Sequence, residues 1–442
     1  MKHYSDYKAS GFEWLGEIPE HWTVCAFKHC ASIDSGLVDP RLPEYVDLPL
    51  IAPNHVESGT GRLLAQESAK DQGADSGKYL FERGAVIYSK IRPALAKACI
   101  PPSGGLCSAD MYPLTCREDV DPRFLLYVLI SDFFTDQAVL ASERVAMPKV
   151  NRDTLGEFRV ALPPLDEQRQ LADYLDRKTV EVDRLIAEKR ALLVRLGQLR
   201  ASVIYTAVTK GLDPDAPMKA SGWDWIGGVP DHWTVPKIKF VARVESGHTP
   251  SRKKPEYWEN CTIPWVTLGD VWQLRNGRTT VITETKEKIS ELGIENSSAR
   301  LLPERTVILS RTASVGFSGI LGSEMATSQD YVCWVCGPTL RPTFLLYVLR
   351  AMKREFRRLL MGSTHKTIYM PDASEFVTTL PPVEEQDQIV AYVEDKTRSL
   401  DALIDKETEA VRLLTELRSS LISEVVTGKI DVREDVPVEM VA

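Results

Sequence analysis

Ala9-Ser10-Gly11-Phe12-Glu13-Trp14-Leu15-Gly16-Glu17-Ile18-Pro19-Glu20-His21-Trp22-Thr23-Val24 returns as Ala220-Ser221-Gly222-Trp223-Asp224-Trp225-Ile226-Gly227-Gly228-Val229-Pro230-Asp231-His232-Trp233-Thr234-Val235, 211 residues later. Ten of these 16 positions are identical. Two further blocks repeat in the same order: Phe124-Leu125-Leu126-Tyr127-Val128-Leu129 with Phe344-Leu345-Leu346-Tyr347-Val348-Leu349, and Leu162-Pro163-Pro164-Leu165-Asp166-Glu167-Gln168 with Leu380-Pro381-Pro382-Val383-Glu384-Glu385-Gln386, at offsets of 220 and 218. The segments between the blocks differ in content and length. A constant frame around changing contents implies two modules of one design that recognise different things.

After each Pro-Pro-x-x-Glu-Gln block the sequence runs on without proline for about forty residues, a length that suits a helix. Leu175, Val182, Lys189, Leu196 and Val203 fall on one heptad seam, with Leu185, Leu192 and Leu199 on the other. The second copy matches with Val393, Leu400, Glu407, Leu414 and Leu421, and with Leu403, Ala410 and Leu417. This spacing predicts a coiled coil. Acid in the first turn and Lys210-Gly211 or Gly428-Lys429 at the far end mark the boundaries. A helix over Asp166 to Val208 would measure about 60–65 Å at about 1.5 Å per residue.

Pairing the two helices antiparallel lets each module close at its own end, a dumbbell with Lys189 and Glu407 at matching central positions. The sequence therefore divides as 1–161, first recognition domain; 162–211, first helical spacer; 212–379, second recognition domain; 380–430, second spacer; and 431–442, tail. Within the modules Phe81–Ser89, Arg305–Ser310 and Tyr331–Val335 are expected strands, and the Phe-Leu-Leu-Tyr-Val-Leu blocks are expected to open buried helices. The fold class is α+β, two pseudo-dyad-related domains separated by an antiparallel two-helix coiled coil.

Composition narrows the class of protein. With 442 residues and 43% hydrophobic residues the chain can build two cores. It has no run of 18 apolar residues and opens with a polar stretch, so a cytoplasmic protein is expected. The eight cysteines are not duplicated with the repeat, which favours reduced thiols over a disulfide framework. A formal charge of −8 disfavours nucleic acid as a partner for the chain as a whole. Arg252-Lys253-Lys254 and Lys353-Arg354-Glu355-Phe356-Arg357-Arg358 nevertheless provide local basic clusters.

The repeated Trp-x-Gly-x-x-Pro-x-His-Trp and Leu-Pro-Pro-x-x-Glu-Gln blocks resemble the specificity subunit of type I restriction-modification systems. Thr327-Ser328-Gln329-Asp330 and Gly362-Ser363-Thr364-His365-Lys366-Thr367-Ile368-Tyr369-Met370-Pro371 resemble it as well. The resemblance implies a non-catalytic subunit that reads an asymmetric bipartite site in double-stranded DNA, with the helices setting half-site spacing. It further implies methyltransferase subunits, two of them, and restriction/translocase subunits as partners, with no membrane. S-adenosylmethionine, ATP and Mg²⁺ would belong to those partners and no cofactor to this chain. Base reading calls for forked donors, Arg or Lys for guanine and Asn or Gln for adenine. The expected DNA-facing residues are Ser89, Lys90, Arg92, Lys149 and Arg152 in the first module. In the second they are Arg252, Lys253, Lys254, Arg311, Lys366 and Thr367. The first module has Ser142-Glu143-Arg144-Val145-Ala146-Met147-Pro148-Lys149 where the second has Gly-Ser-Thr-His-Lys, so the two are not aligned by sequence here.

Catalytic patterns fare poorly. Thr427-Gly428-Lys429 lacks the first glycine of a phosphate loop. Leu162-Pro163-Pro164-Leu165 lacks the polar residue and aromatic of an amino-methyltransferase motif. Asp270 with Glu284-Thr285-Lys286, and Asp372 with Glu394-Asp395-Lys396, are short strings of a kind common by chance. Cys333-Trp334-Val335-Cys336 has no partner pair for zinc and reads as a strand. His21 and His232 are expected to pack beside Trp22 and Trp233. A coiled-coil scaffold with two protein-binding end domains remains an alternative to DNA reading.

Overall fold

The computed structural model describes residues 2–142, 148–360 and 367–435. It comprises two compact units, one formed by Met1–Arg190 with Glu409–Ala442 and the other by Ala191–Thr408. Each unit is mixed α and β and holds parts of both long helices.

The long helices span Leu165–Lys210 and Val383–Val426. Proline cannot donate an amide hydrogen or continue a helix backward, so Pro163-Pro164 and Pro381-Pro382 fix the starts. Pro164 and Pro382 instead accept the first amides, from Gln168 and Gln386. The ends are set by Gly211 (φ 75°) and Gly428 (φ 71°), left-handed positions that disfavour any side chain. Space reinforces the choice. A Cβ on Gly211 would lie 3.2 Å from the Trp233 ring, and one on Gly428 would lie 2.4 Å from Pro19 Cδ.

In the first unit the N-terminal part of the first helix packs against the C-terminal part of the second, Leu171, Ala172 and Leu175 meeting Leu421, Ile422, Val425 and Val426 in one core. In the second unit Ile204, Ala207 and Val208 meet Ile389 and Val393. Both pairings are antiparallel. Only one of the expected seams is correct. Leu175, Val182 and Leu196 are buried, as are Val393 and Leu421, but Leu192, Leu199, Leu403 and Leu417 are exposed. The second inward row runs one residue later, through buried Thr179, Ile186 and Ala207 with half-buried Leu193 and Arg200, and through buried Thr397, Arg418 and Val425 with half-buried Ile404 and Val411. Two arginines in that row hid it from a search for apolar residues.

The first unit's recognition domain carries two four-stranded sheets. One runs Ala31–Ile33, Met111–Cys116, Val86–Ser89, Ala98–Cys99, and the other Leu37–Val38, Lys78–Phe81, Gly105–Cys107, Leu50–Ile51. The second unit has a five-stranded sheet, Ala242–Ser246, Tyr331–Cys336, Val307–Ser310, Ser318–Leu321, Val281–Ile282. Its three-stranded sheet is Glu287–Ile289, Ile263–Val266, Ala326–Thr327. The expected strand over Phe81–Ser89 is two strands. Gly84 at φ 92° turns the chain so that Lys78–Phe81 joins one sheet and Val86–Ser89 the other. The helices Pro122–Ile130 and Pro342–Ala351 open at the repeated blocks and bury six residues each.

Candidate nucleic-acid interface

The repeated residues hold each domain on the start of a long helix. Glu167, itself 7% exposed, accepts hydrogen bonds from the Trp22 indole (3.1 Å) and the Tyr4 hydroxyl (2.8 Å), and lies 2.7 Å from His21 Nε2. Glu385 repeats the arrangement with Trp233 (3.0 Å) and His232 (2.9 Å). The histidines thus bridge to carboxylates, and their packing beside the tryptophans is secondary. Burial and the Glu167 carboxylate push the Tyr4 hydroxyl well above its usual range. The neighbouring glutamines clamp the buried helices: Gln168 accepts from Asp121 N and donates to Asp119 O and Pro163 O, and Gln386 does the same with Arg341 N, Thr339 O and Pro381 O. At the helix ends Lys429 donates to Leu15 O and Glu17 O, and Lys210 to Ile226 O and Gly228 O. Burial lowers both ammonium pKa values.

A second anchor was invisible to hydrophobic patterning. Arg418, 6% exposed on the second helix, donates to Asp183 on the first (2.8 Å) and to the carbonyls of Gly59 (2.7 Å) and Thr60 (3.2 Å) in the recognition domain. In the other unit Arg200 on the first helix donates to Asp401 (2.9 Å) and to Gly277 O (3.0 Å). Asp183 and Asp401, like Arg200 and Arg418, are 218 residues apart, the offset of the helix-start repeat. One guanidinium in each unit therefore ties both helices to the domain they carry.

Some of the expected DNA-facing residues lie at matching corners of the two domains: Ser89, Lys90, Arg92, Lys149 and Arg152 in the first, and Arg311 and Thr367 in the second, while no contact among the described residues places Arg252, Lys253 or Lys254 there. In the first, Lys90 N donates to Asp110 O (3.0 Å), Val150 N to Lys90 O (2.9 Å) and Arg92 N to Pro148 O (2.8 Å), while Ile91 bridges Lys149. In the second, Arg311 N donates to Asp330 O (2.8 Å), Ile368 N to Arg311 O (2.8 Å), and Thr312 bridges Thr367. This register equates Lys90 with Arg311 and Lys149 with Thr367, an alignment the sequence left open.

Individual side chains differ. Lys90 lies over the Tyr112 ring, and Arg152 lies over Tyr79 and Tyr112 while donating to the carbonyls of Ile33 and Asp34. Arg92 and Lys149 are exposed. Ser89 is buried and its hydroxyl closes the turn onto Ile91 O (3.1 Å), so it braces this corner from inside. Arg252 is stacked on Trp258, its guanidinium 4.4 Å from the ring centroid, and paired with Glu287 at 2.9 Å. Lys253 is exposed, and Lys254 donates to the Tyr257 hydroxyl. Arg311 donates weakly to Ile368 O (3.3 Å), and its Nε is buried without a partner. Lys366 lies outside the described residues.

The corner also holds residues outside the expected DNA-facing set, in the second domain those of the Thr327-Ser328-Gln329-Asp330 block and in the first Ser108-Ala109-Asp110. Asp110 N and Asp330 N each bond the hydroxyl two residues before, Ser108 (3.2 Å) and Ser328 (3.3 Å), so the two turns are alike. The residue at the tip is not. It is Ala109 in one and the exposed Gln329 in the other, whose Oε1 accepts from Thr249 at 2.6 Å. The signal was the Ser-x-Asp pair at offset 220, within a block of otherwise low identity.

Residues 19–193 and 230–412 match the type I restriction modification DNA specificity domain. Over 241 residues the chain is 34% identical to the EcoDI type I restriction enzyme specificity subunit of Escherichia coli, covering 54% of this chain and 53% of that subunit. It thus spans about half the length of that curated relative. Over 448 residues it is 22% identical to the putative MjaX specificity subunit of Methanocaldococcus jannaschii, covering 97% and 98% of the two. A solved chain described under complex assembly and conformational transition of the type I R-M system superposes with a TM-score of 0.75 at 20% identity, covering 93% of this chain and 99% of that one. The HsdS subunit from Thermoanaerobacter tengcongensis gives 0.50 at 19% identity, covering 93% and 98%. These structures share the fold.

Proposed function

The chain belongs to the type I restriction modification DNA specificity family, and from that premise we propose that it reads an asymmetric bipartite site in double-stranded DNA. It would direct adenine methylation and ATP-dependent cleavage by partner subunits. Its own part is recognition. The observation that carries this reading is the pair of matching corners: the same backbone crossing presents Lys90, Ala109 and Lys149 in one domain and Arg311, Gln329 and Thr367 in the other. An identical frame with different side chains suits two readers of different half-sites. Arg311 has the fork that guanine requires and Gln329 the amide that adenine requires. Lys90, Arg92 and Lys149 suit phosphate contact, which fixes register without reading sequence.

The long helices have two duties in this reading. Their length sets the number of unread base pairs between half-sites, and their exposed leucines, Leu192, Leu199, Leu403 and Leu417, offer apolar surface to methyltransferase subunits. The duplicated helices suit two such subunits. S-adenosylmethionine would serve the methyltransferase subunits, and ATP with Mg²⁺ the translocating restriction subunits, in the cytoplasm.

Coexpression with the methyltransferase subunit of its own system, followed by mapping of methylated adenines, tests the proposal. A motif of two short specified groups around an unspecified spacer is expected. A contiguous motif, or methylation independent of this chain, overturns it.

A further inference from the structure

The basic cluster Lys353-Arg354-Glu355-Phe356-Arg357-Arg358 has no part in the reading corner. It forms a helix, Lys353–Leu360, and Lys353 and Arg357, four residues apart, share a face. That face borders a cavity of about 510 Å³ lying wholly within the second unit, between its recognition domain and the long helices. Six cations line it: Arg200, Arg275, Arg278, Arg350, Lys353 and Arg357. Asp401 is the single carboxylate in the lining, and Arg200 (2.9 Å) and Arg278 (3.2 Å) share it. Arg350 spends its donors on the carbonyls of Gly277 (2.9 Å) and Thr279 (2.6 Å). Arg275, Lys353 and Arg357 have no carboxylate partner among the described residues. The Ser318 hydroxyl also lines the cavity, 3% exposed and without a hydrogen-bond partner.

The corresponding cavity of the first unit is an internal comparison. It measures about 350 Å³ and is also built around the interhelical arginine, here Arg418. Its lining balances Arg62, Arg190 and Arg418 with Glu57, Asp132 and Asp183, and Arg62 pairs with Glu57 at 2.8 Å. Cationic excess is therefore a property of one cavity and not of the architecture.

We propose that the cavity of the second unit binds a phosphate-bearing anion, with Arg275, Lys353 and Arg357 supplying charge and Ser318 a buried hydroxyl donor. Arg275, Lys353 and Arg357 are exposed at the rim, and a concave wall that carries six cations and one carboxylate attracts phosphate more strongly than scattered surface lysines do, because the cleft concentrates their field. Burial depresses the Arg350 guanidinium pKa to about 10, with Arg200 a smaller contributor. Two sources share this chemistry: a free phosphate compound and a phosphodiester of bound DNA.

The test uses the full chain and inorganic pyrophosphate, followed by calorimetry at low salt. Wild type should bind saturably, as should Arg62→Gln in the balanced cavity. The triple variant Arg275→Gln/Lys353→Gln/Arg357→Gln should lose about tenfold or more, and Ser318→Ala about threefold, without change in circular dichroism. If pyrophosphate does not bind but the triple variant, unlike Arg62→Gln, loses affinity for a duplex of arbitrary sequence, the phosphate is that of DNA and the anion site stands. Pyrophosphate binding that is equal in wild type and the triple variant overturns the proposal. So does absence of pyrophosphate binding together with unchanged duplex affinity.

Discussion

Replacing Arg418 with methionine keeps the apolar stem of the side chain in the helix seam and removes its charge and all its donors. Three things are then left without partners: Asp183 and the carbonyls of Gly59 and Thr60. Breaking a buried ion pair costs about 3–5 kcal/mol when both groups are sealed from water. The Arg418 side chain is 7% exposed but that of Asp183 is 38% exposed and can rehydrate, which brings the expected cost down to about 2–3 kcal/mol. Hydrogen exchange of the full chain provides a local reading. At about 1.4 kcal/mol per decade, amides around residues 57–62 and 183–186 should open about 30- to 150-fold more readily. Amides at 277–279, held by the equivalent Arg200, serve as the unperturbed control. Adding Asp183→Leu removes the stranded carboxylate and should restore at least half of the loss. Lysine cannot reach a carboxylate and two carbonyls with one planar fork, so Arg418→Lys should also destabilise. Acceleration below about threefold in Arg418→Met, or full rescue by lysine, would refute the anchor.

Other consequences follow from the same contacts. Gln329→Ala should relax discrimination at one position of the second half-site by about 1–3 kcal/mol and leave the first half unchanged, as read by binding to substituted duplexes. Insertion of a few residues near Gln198, in an exposed stretch of the first long helix, should change the length of the unread spacer or abolish methylation; unchanged spacing would argue against helices as rulers. Lys237 and Lys239 hold the Glu375 carboxyl down at about 2. Its folded-state pKa is depressed, so its contribution is complete above the ordinary value of 4.5 and is lost as pH falls from there toward about 2. Glu375→Gln should therefore flatten the acid limb of a stability profile in that window, and an unaltered limb would show the bridges to be idle.

Much of the fold was legible because the repeat is structural. In both units the tryptophan and histidine of one shared block bond the glutamate of another while the glutamine beside it clamps the buried helix, and a residue whose partner is also repeated stands out at a fixed offset. The start and end of each helix were equally plain, since proline and left-handed glycine leave little choice of backbone. The second coil seam was misplaced because Arg200 and Arg418 occupy apolar positions, and a heptad search moves to the neighbouring leucines. The break in Phe81–Ser89 was missed because Glu82-Arg83-Gly84 is a short interruption between two apolar runs, Tyr79–Phe81 and Ala85–Tyr88, that read as one strand. At the two corners the sequence singled out residues on both sides but not their equivalence. Lys149 and Thr367 share a backbone position and no chemistry, and only the bridges to Ile91 and Thr312 show it. Ser89 looked like a surface hydroxyl because burial at a strand end depends on the sheets packed around it.

The central claim is that each domain reads one half of the site. Exchanging residues 237 to 370 for the corresponding segment of a relative with a different recognition site, in cells that also carry the methyltransferase partner, tests it most directly through the map of methylated adenines. The account predicts that one half of the motif changes to that of the donor while the other half and the spacer stay as they were. A change in both halves, or in neither, would contradict it.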